Sequence, residues 1–166
     1  MKVVALITCL AVAAALAWGA GGLWGDEDTV IVERVVDGDT IDVLRDGEAI
    51  RVRLLNIDTP ESVDPNRPQE CLGEEASAYL SQLLPAGSEV ELQYDEERFD
   101  PYDRELAAVF LDDVLVNAEI ARAGYGEPLL IEPNDRFYAD VQAAWDHADA
   151  AQVGLFSPQA PCTPND

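Results

Sequence analysis

Residues 35–61 read VVDGDTIDVLRDGEAIRVRLLNIDTPE, and this pattern sets the fold of the domain. Three runs rich in Val and Ile, 29–36, 40–44 and 49–57, are separated by Asp37-Gly38 and Asp46-Gly47. An Asp-Gly pair between apolar runs is the strongest short-range hairpin signal, so the stretch predicts a three-strand meander. Arg51 and Arg53 alternate with Val52, which puts both arginines on one wet strand face and the valine in a core.

The same stretch gathers chemistry. Asp39, Asp58 and Glu61 are carboxylates with no thiol or imidazole nearby in the sequence, and oxygen donors of this kind select Ca or Mg over Zn or Cu. Arg53 adds a guanidinium. A cation beside an arginine is a clamp for a phosphoryl group, because both stabilise charge that grows on phosphate oxygens during displacement. Singly, each motif is ordinary: DGDT reads as a turn, and DTPE as a helix or turn start. The combination is what carries information.

VDGDT at 36–40, RVRLLNIDTPE at 51–61 and a later YDR at 102–104 resemble the staphylococcal nuclease (thermonuclease) family, and the likeness extends over residues 29–156. The resemblance implies an α+β fold, a five-stranded OB-fold β-barrel with three α-helices, and Ca-dependent hydrolysis of phosphodiester bonds in DNA and RNA. Carried over by motif, Asp39 and Asp58 are metal carboxylates and Thr59 lends its backbone carbonyl. Glu61 orients or deprotonates the attacking water, Arg53 and Arg104 bind the phosphate, and Tyr102 lines the same site. Mg or Mn remain alternatives to Ca. The chain departs from the family pattern in three places. Asp103 stands where the motif has glycine, Pro101 where a lysine precedes the tyrosine, and 127–132 reads EPLLIE where tyrosines approach the base. Base stacking contributes about 1–3 kcal/mol per base, so weaker gripping of substrate is expected.

Met1 and Lys2 precede an uncharged, apolar run, 3–25. It is either a cleaved export signal, for which Ala15-Leu16-Ala17 fits the small-residue cleavage pattern, or a membrane anchor long enough to span a bilayer core of about 20 residues. The cleaved signal is preferred, and both place the domain outside the cytoplasm. The domain is expected over 26–160, a monomer, with a tail at 161–166. Its cysteines, Cys71 and Cys162, suggest one disulfide in an exported chain, adding about 4 kcal/mol in the chain-entropy account. Two free thiols are the alternative.

Charge poses the difficulty. Lys2 is the only lysine among ten basic residues, so beyond residue 25 nine arginines face all 33 acidic residues, a formal −24 against −23 for the whole chain. Nucleic-acid binders ordinarily present basic surfaces that release counterions from phosphate. Evenly spread acids without lysine point to adaptation to very high salt, where the Debye length falls to about 3 Å at 1 M. The competing reading of the charge is a chain that no longer binds nucleic acid, its acidity serving solubility or general cation binding. The functional alternatives to a nuclease are a non-catalytic OB module binding nucleic acid or a cell-surface partner, and a calcium-dependent envelope structural protein.

The remaining elements are a helix over 73–84 with Ala76, Tyr79, Leu80 and Leu83 on its apolar side, strands at 89–94 and 106–111, and helices over 116–123 and 134–150. Phe137 and Trp145 are core candidates, while Arg122 and the sole histidine, His147, read as surface residues.

Overall fold

The computed structural model describes residues 27–62 and 70–161. The expected export segment, most of the loop between Glu61 and Cys71, and Cys162 lie outside the described residues. The strands are β1 (Glu27–Asp37), β2 (Thr40–Arg45), β3 (Glu48–Leu54), β4 (Ile57–Asp58), β5 (Glu89–Gln93), β6 (Glu105–Leu111), β7 (Val114–Leu115) and β8 (Glu127–Pro128); the helices are α1 (Gly73–Leu83), α2 (Val116–Arg122) and α3 (Tyr138–Ala151). The large sheet runs β3-β2-β1-β5-β6-β7, and a parallel pairing of β3 with β6 joins its ends. Five strands, β1, β2, β3, β5 and β6, therefore form a closed barrel, which leaves no long unpaired edge.

The meander forms, but its two Asp-Gly pairs act differently. Asp46 and Gly47 both have positive φ, 53° and 87°, as a two-residue turn of the twist-matching kind requires. Gly38 is needed for space instead. A Cβ there would lie 2.5 Å from Thr59 Oγ1 and 2.8 Å from Ala76 Cβ, so the first turn packs directly against the Thr59 segment and α1. Gly38→Ala is accordingly expected to lower stability by about 1–3 kcal/mol through overpacking, seen as a lower urea midpoint. Ala76→Gly in the same chain should recover part of that loss, and an unshifted single variant would refute the close packing.

Two expectations need correction. The third strand does not run through to residue 57, because Asn56 adopts φ 59°, a left-handed conformation that asparagine tolerates better than most residues. Its fully buried side chain donates Nδ2 to the Asn134 carbonyl at 2.8 Å, while its own backbone carbonyl accepts from Leu129 N at 3.1 Å. The chain is thereby turned out of the barrel into β4, which pairs with β8. The last helix starts at Tyr138, not at 134. Asn134 is spent on a tertiary contact, its Oδ1 accepting from Glu97 N at 2.8 Å and its Nδ2 donating to Glu97 O at 3.0 Å.

The barrel interior is Val30, Val32, Ile41, Val43, Val52, Leu54, Leu92 and Val109, capped by Leu80 of α1, Ile120 of α2 and Val141 of α3. Each fully buried side chain of this size contributes about 1.5–3 kcal/mol. Phe137 is buried. Trp145 is half-buried against Phe156, ring centroids 4.5 Å apart, and His147 is exposed.

A charged network ties the strand ends together. Glu105 at the start of β6 accepts from both terminal nitrogens of Arg45, at 2.7 and 2.9 Å, and from Tyr94 Oη at 2.7 Å, with Arg98 over the Tyr94 ring at 4.0 Å. Burial would push the Glu105 carboxyl up, but the bonds from Arg45 and Tyr94 and the charges of Arg45 and Arg98 outweigh it and hold it below the usual glutamate range. A lowered acid stabilises the fold fully above its unfolded pKa and loses that contribution as pH falls through the lowered value. Glu105→Gln should thus cost about 1.5–3 kcal/mol at neutral pH. The gap from the parent protein should close as pH falls below the usual glutamate range, which paired denaturation curves across pH would reveal. A gap independent of pH would count against the assignment.

Candidate active site

The β1–β2 turn, the β3–β4 bend and the segment after β4 converge on one side of the barrel. Asp39 sits in the two-residue turn between Asp37 and Thr40. Arg53 pairs with Thr40 across β2–β3, with Asp39 just beyond. The Arg53 guanidinium bridges the two aspartates predicted as metal ligands. Nε lies 3.1 Å from Asp39 Oδ1 and Nη2 donates to Asp58 Oδ1 at 2.7 Å; Nη1 donates to the carbonyls of Leu54 and Ile57 at 2.6 and 2.7 Å. Thr59 closes the cluster, donating its N–H and hydroxyl to Asp39 Oδ2 at 3.0 and 3.1 Å. Thr40 Oγ1 donates to Asp39 Oδ1. Gly126, two residues before the β8 proline, allows this: a Cβ there would stand 2.8 Å from Thr59 Cγ2.

The electrostatics are those of crowded carboxylates. Burial pushes Asp58 above the usual range; Arg53 works against this, and the charges of Asp39 and Glu127 add to it. Burial and the neighbouring Asp39 push Asp37 up to about 6. A like charge close by disfavours ionisation, so the cluster holds more negative charge than Arg53 alone offsets. Asp58 has a half-exposed side chain whose Oδ2 makes no hydrogen bond among the described residues. An all-oxygen set with residual negative charge fits a hard divalent cation. Among the described residues, no group of three or more His, Cys, Asp or Glu is arranged to hold a metal. Backbone oxygens and water would therefore have to complete any coordination by Asp39 and Asp58.

The other predicted residues stand nearby but apart. Glu61 is fixed through its backbone, its N–H bonded to Glu70 Oε2 at 3.1 Å and its carbonyl accepting from Glu70 N at 2.9 Å. That pairing gathers both ends of the intervening loop. Arg104 does not touch the aspartate cluster. Its Nε donates to Asp100 Oδ2 at 2.6 Å, and Asp100 Oδ1 accepts the backbone N–H groups of Tyr102 and Arg104. Tyr102 is 81% exposed, with Arg104 5.7 Å from its ring centroid. Asp100 is the residue that sequence reasoning missed. Its signal is the DPYDR spacing, an aspartate before a proline turn and four residues ahead of the arginine it holds. Asp103 has φ 61°, the conformation that explains a glycine in the motif.

A closed OB barrel with three helices and an Asp–Arg–Asp cluster at its β3–β4 bend defines an α+β domain of the thermonuclease type. Comparison with known proteins agrees: the family described as "Staphylococcal nuclease homologue" matches residues 51–158. Thermonuclease of Staphylococcus intermedius is 37% identical over 129 residues, covering 78% of this chain and 76% of that protein, and thermonuclease of Staphylococcus hyicus is 35% identical over 132 residues, covering 80% and 78%. Endonuclease YncB of Bacillus subtilis (strain 168) is 36% identical over 130 residues, 77% of this chain and 61% of that protein. The chain belongs to the staphylococcal nuclease family.

Proposed function

We propose that the protein is an exported, Ca-dependent nuclease that hydrolyses phosphodiester bonds in DNA, RNA or both. The observation that carries this is Arg53, a buried guanidinium held between two carboxylates at a site open to solvent through Asp58. Asp39, Asp58 and the neighbouring Asp37 around this one guanidinium leave negative charge over, which suits a cation bound beside it. Asp39, Asp58 and the Thr59 carbonyl would hold the metal, whose chemistry is to polarise a phosphate oxygen and neutralise charge. Glu61, at the edge of the cluster, orients or deprotonates water. Arg53 and Arg104 bind the phosphate oxygens more strongly as their charge grows, which is where binding accelerates the reaction.

Export belongs to the same reading, supported by the apolar run 3–25. Cys71 is a bonded half-cystine, which supports the pairing with Cys162; mass measurement with and without reductant tests it. The acids, spread along the chain with no lysine after Lys2, support a high-salt habitat, and stability that increases from dilute to molar salt is the expected result.

The test of function is cleavage of single- and double-stranded DNA and of RNA in molar salt, with calcium and with chelator. Calcium-dependent cleavage is expected. A folded protein that cleaves none of them would turn the assignment toward a binding module, the reading favoured by the tethering of Arg104 to Asp100.

A further inference from the structure

The acidic surface contains a groove where guanidiniums keep donors to spare. It has a volume of about 460 Å³ and is lined by Asp42, Ile50, Arg51, Tyr102, Asp103 and Arg104. Arg51 lies opposite Asp42 on β2 and bonds it twice, Nε to Oδ1 at 2.8 Å and Nη2 to Oδ2 at 3.1 Å. Asp42 is shared: Arg34 of β1 reaches its Oδ2 at 2.5 Å. Asp42 is thus divided between two arginines, while the charge of Asp37 also acts on Arg51 and Asp103 lines the same groove. Among the described residues, Arg51 Nη1 has no partner, and Arg104 uses only Nε, leaving both terminal amino groups unbonded. Both arginines are half-exposed or nearly so, with side-chain exposures of 46% and 32%.

Placement connects this groove to the aspartate cluster. Arg51 and Arg53 share a face of β3, two residues apart, a distance of about 7 Å along the strand. Glu105, the residue after Arg104, pairs with Val52 between them. The three arginines thus border one stretch of the barrel wall, Arg53 inside the cluster and the other two lining the groove beside it. A cluster that binds the phosphate under attack has a nucleic-acid chain leaving it, and that chain carries another phosphate one nucleotide on.

We propose that Arg51 binds the phosphodiester next to the one being cleaved, across the groove from Arg104, whose free amino groups serve the phosphate under attack. This rests on the nuclease reading above. It also gives a local answer to the charge problem: the chain grips the polyanion through a few paired guanidiniums at contact distance and not through a basic surface. Asp42 orients the Arg51 fork and leaves one of its edges for phosphate, and the bidentate geometry is why arginine and not lysine serves there.

The test compares the parent protein with Arg51→Gln on a short single-stranded oligonucleotide and on a dinucleoside monophosphate, which has no flanking phosphate. The oligonucleotide KM should rise about tenfold more than that of the dinucleoside monophosphate, the scale of one lost charge-assisted bond. The slope of log affinity against log salt should become shallower by about one. Equal losses on both substrates, or an unchanged salt slope, overturn the proposal. If the parent protein cleaves neither substrate the nuclease reading fails on its own, and oligonucleotide binding in chelator then decides: tenfold weaker binding by Arg51→Gln supports the phosphate site, and equal binding removes it.

Discussion

Arg53→Ala is expected to lower the cleavage rate by at least about 10²–10³-fold, the scale of one lost transition-state donor, and to cost about 3–5 kcal/mol of stability. Both effects come from one geometry. The guanidinium is only 6% exposed and contacts Asp39, Asp58 and two backbone carbonyls, so its removal strands a buried carboxylate and two acceptors together. That loss is a large share of a typical domain's roughly 5–15 kcal/mol. Arg53→Lys is therefore the companion variant: it keeps a charge in the site but loses the fork. Calcium affinity should move the other way in both variants, since the guanidinium that competes for Asp39 and Asp58 is gone or displaced. Single-turnover cleavage on the folded fraction and calorimetric calcium titration read the two quantities separately. Near-normal turnover in either variant would falsify the proposed role.

Glu61→Gln is expected to lower the rate by about 10²–10⁴-fold, as befits a group that moves or orders the attacking water's proton. Stability should change by less than about 1 kcal/mol. The asymmetry comes from how the residue is held. Its backbone is tied to Glu70, and its carbonyl packs so close to the start of α1 that a Cβ on Gly73 would lie 2.7 Å away. The amide substitution leaves these backbone ties in place and replaces one carboxylate oxygen by an amide nitrogen of nearly the same shape. A rate loss with an unshifted melting transition is the expected pair of results; equal loss of both would make Glu61 a structural residue.

The meander was legible from the sequence by local rules, since alternation sets strand faces and Asp-Gly marks turns. The barrel class and the grouping of Asp39, Arg53, Asp58 and Thr59 were legible through the resemblance of the VDGDT and RVRLLNIDTPE motifs to the nuclease family. Arg51 and Arg53 sharing a face is of the first kind, because the period of a strand is two whatever surrounds it. The sequence also determined the paradox of an acidic chain with a nuclease-family motif, since composition needs no fold.

What only the tertiary structure decided involves partners distant in the chain. Gly38 looked like a turn glycine and is a packing glycine, because the atoms that exclude its Cβ belong to Thr59 and Ala76. Asn56 ends β3 because Asn134, 78 positions along, accepts its amide. Arg104 faces a groove with Arg51, and not the aspartate cluster, because Asp100 holds it there while the parallel β3–β6 pairing sets the two strands side by side. Local propensity encodes the strands and turns. Which side chains share a cavity is fixed only when the barrel closes, since closure brings residues of β3 against residues of β6 that no local pattern relates.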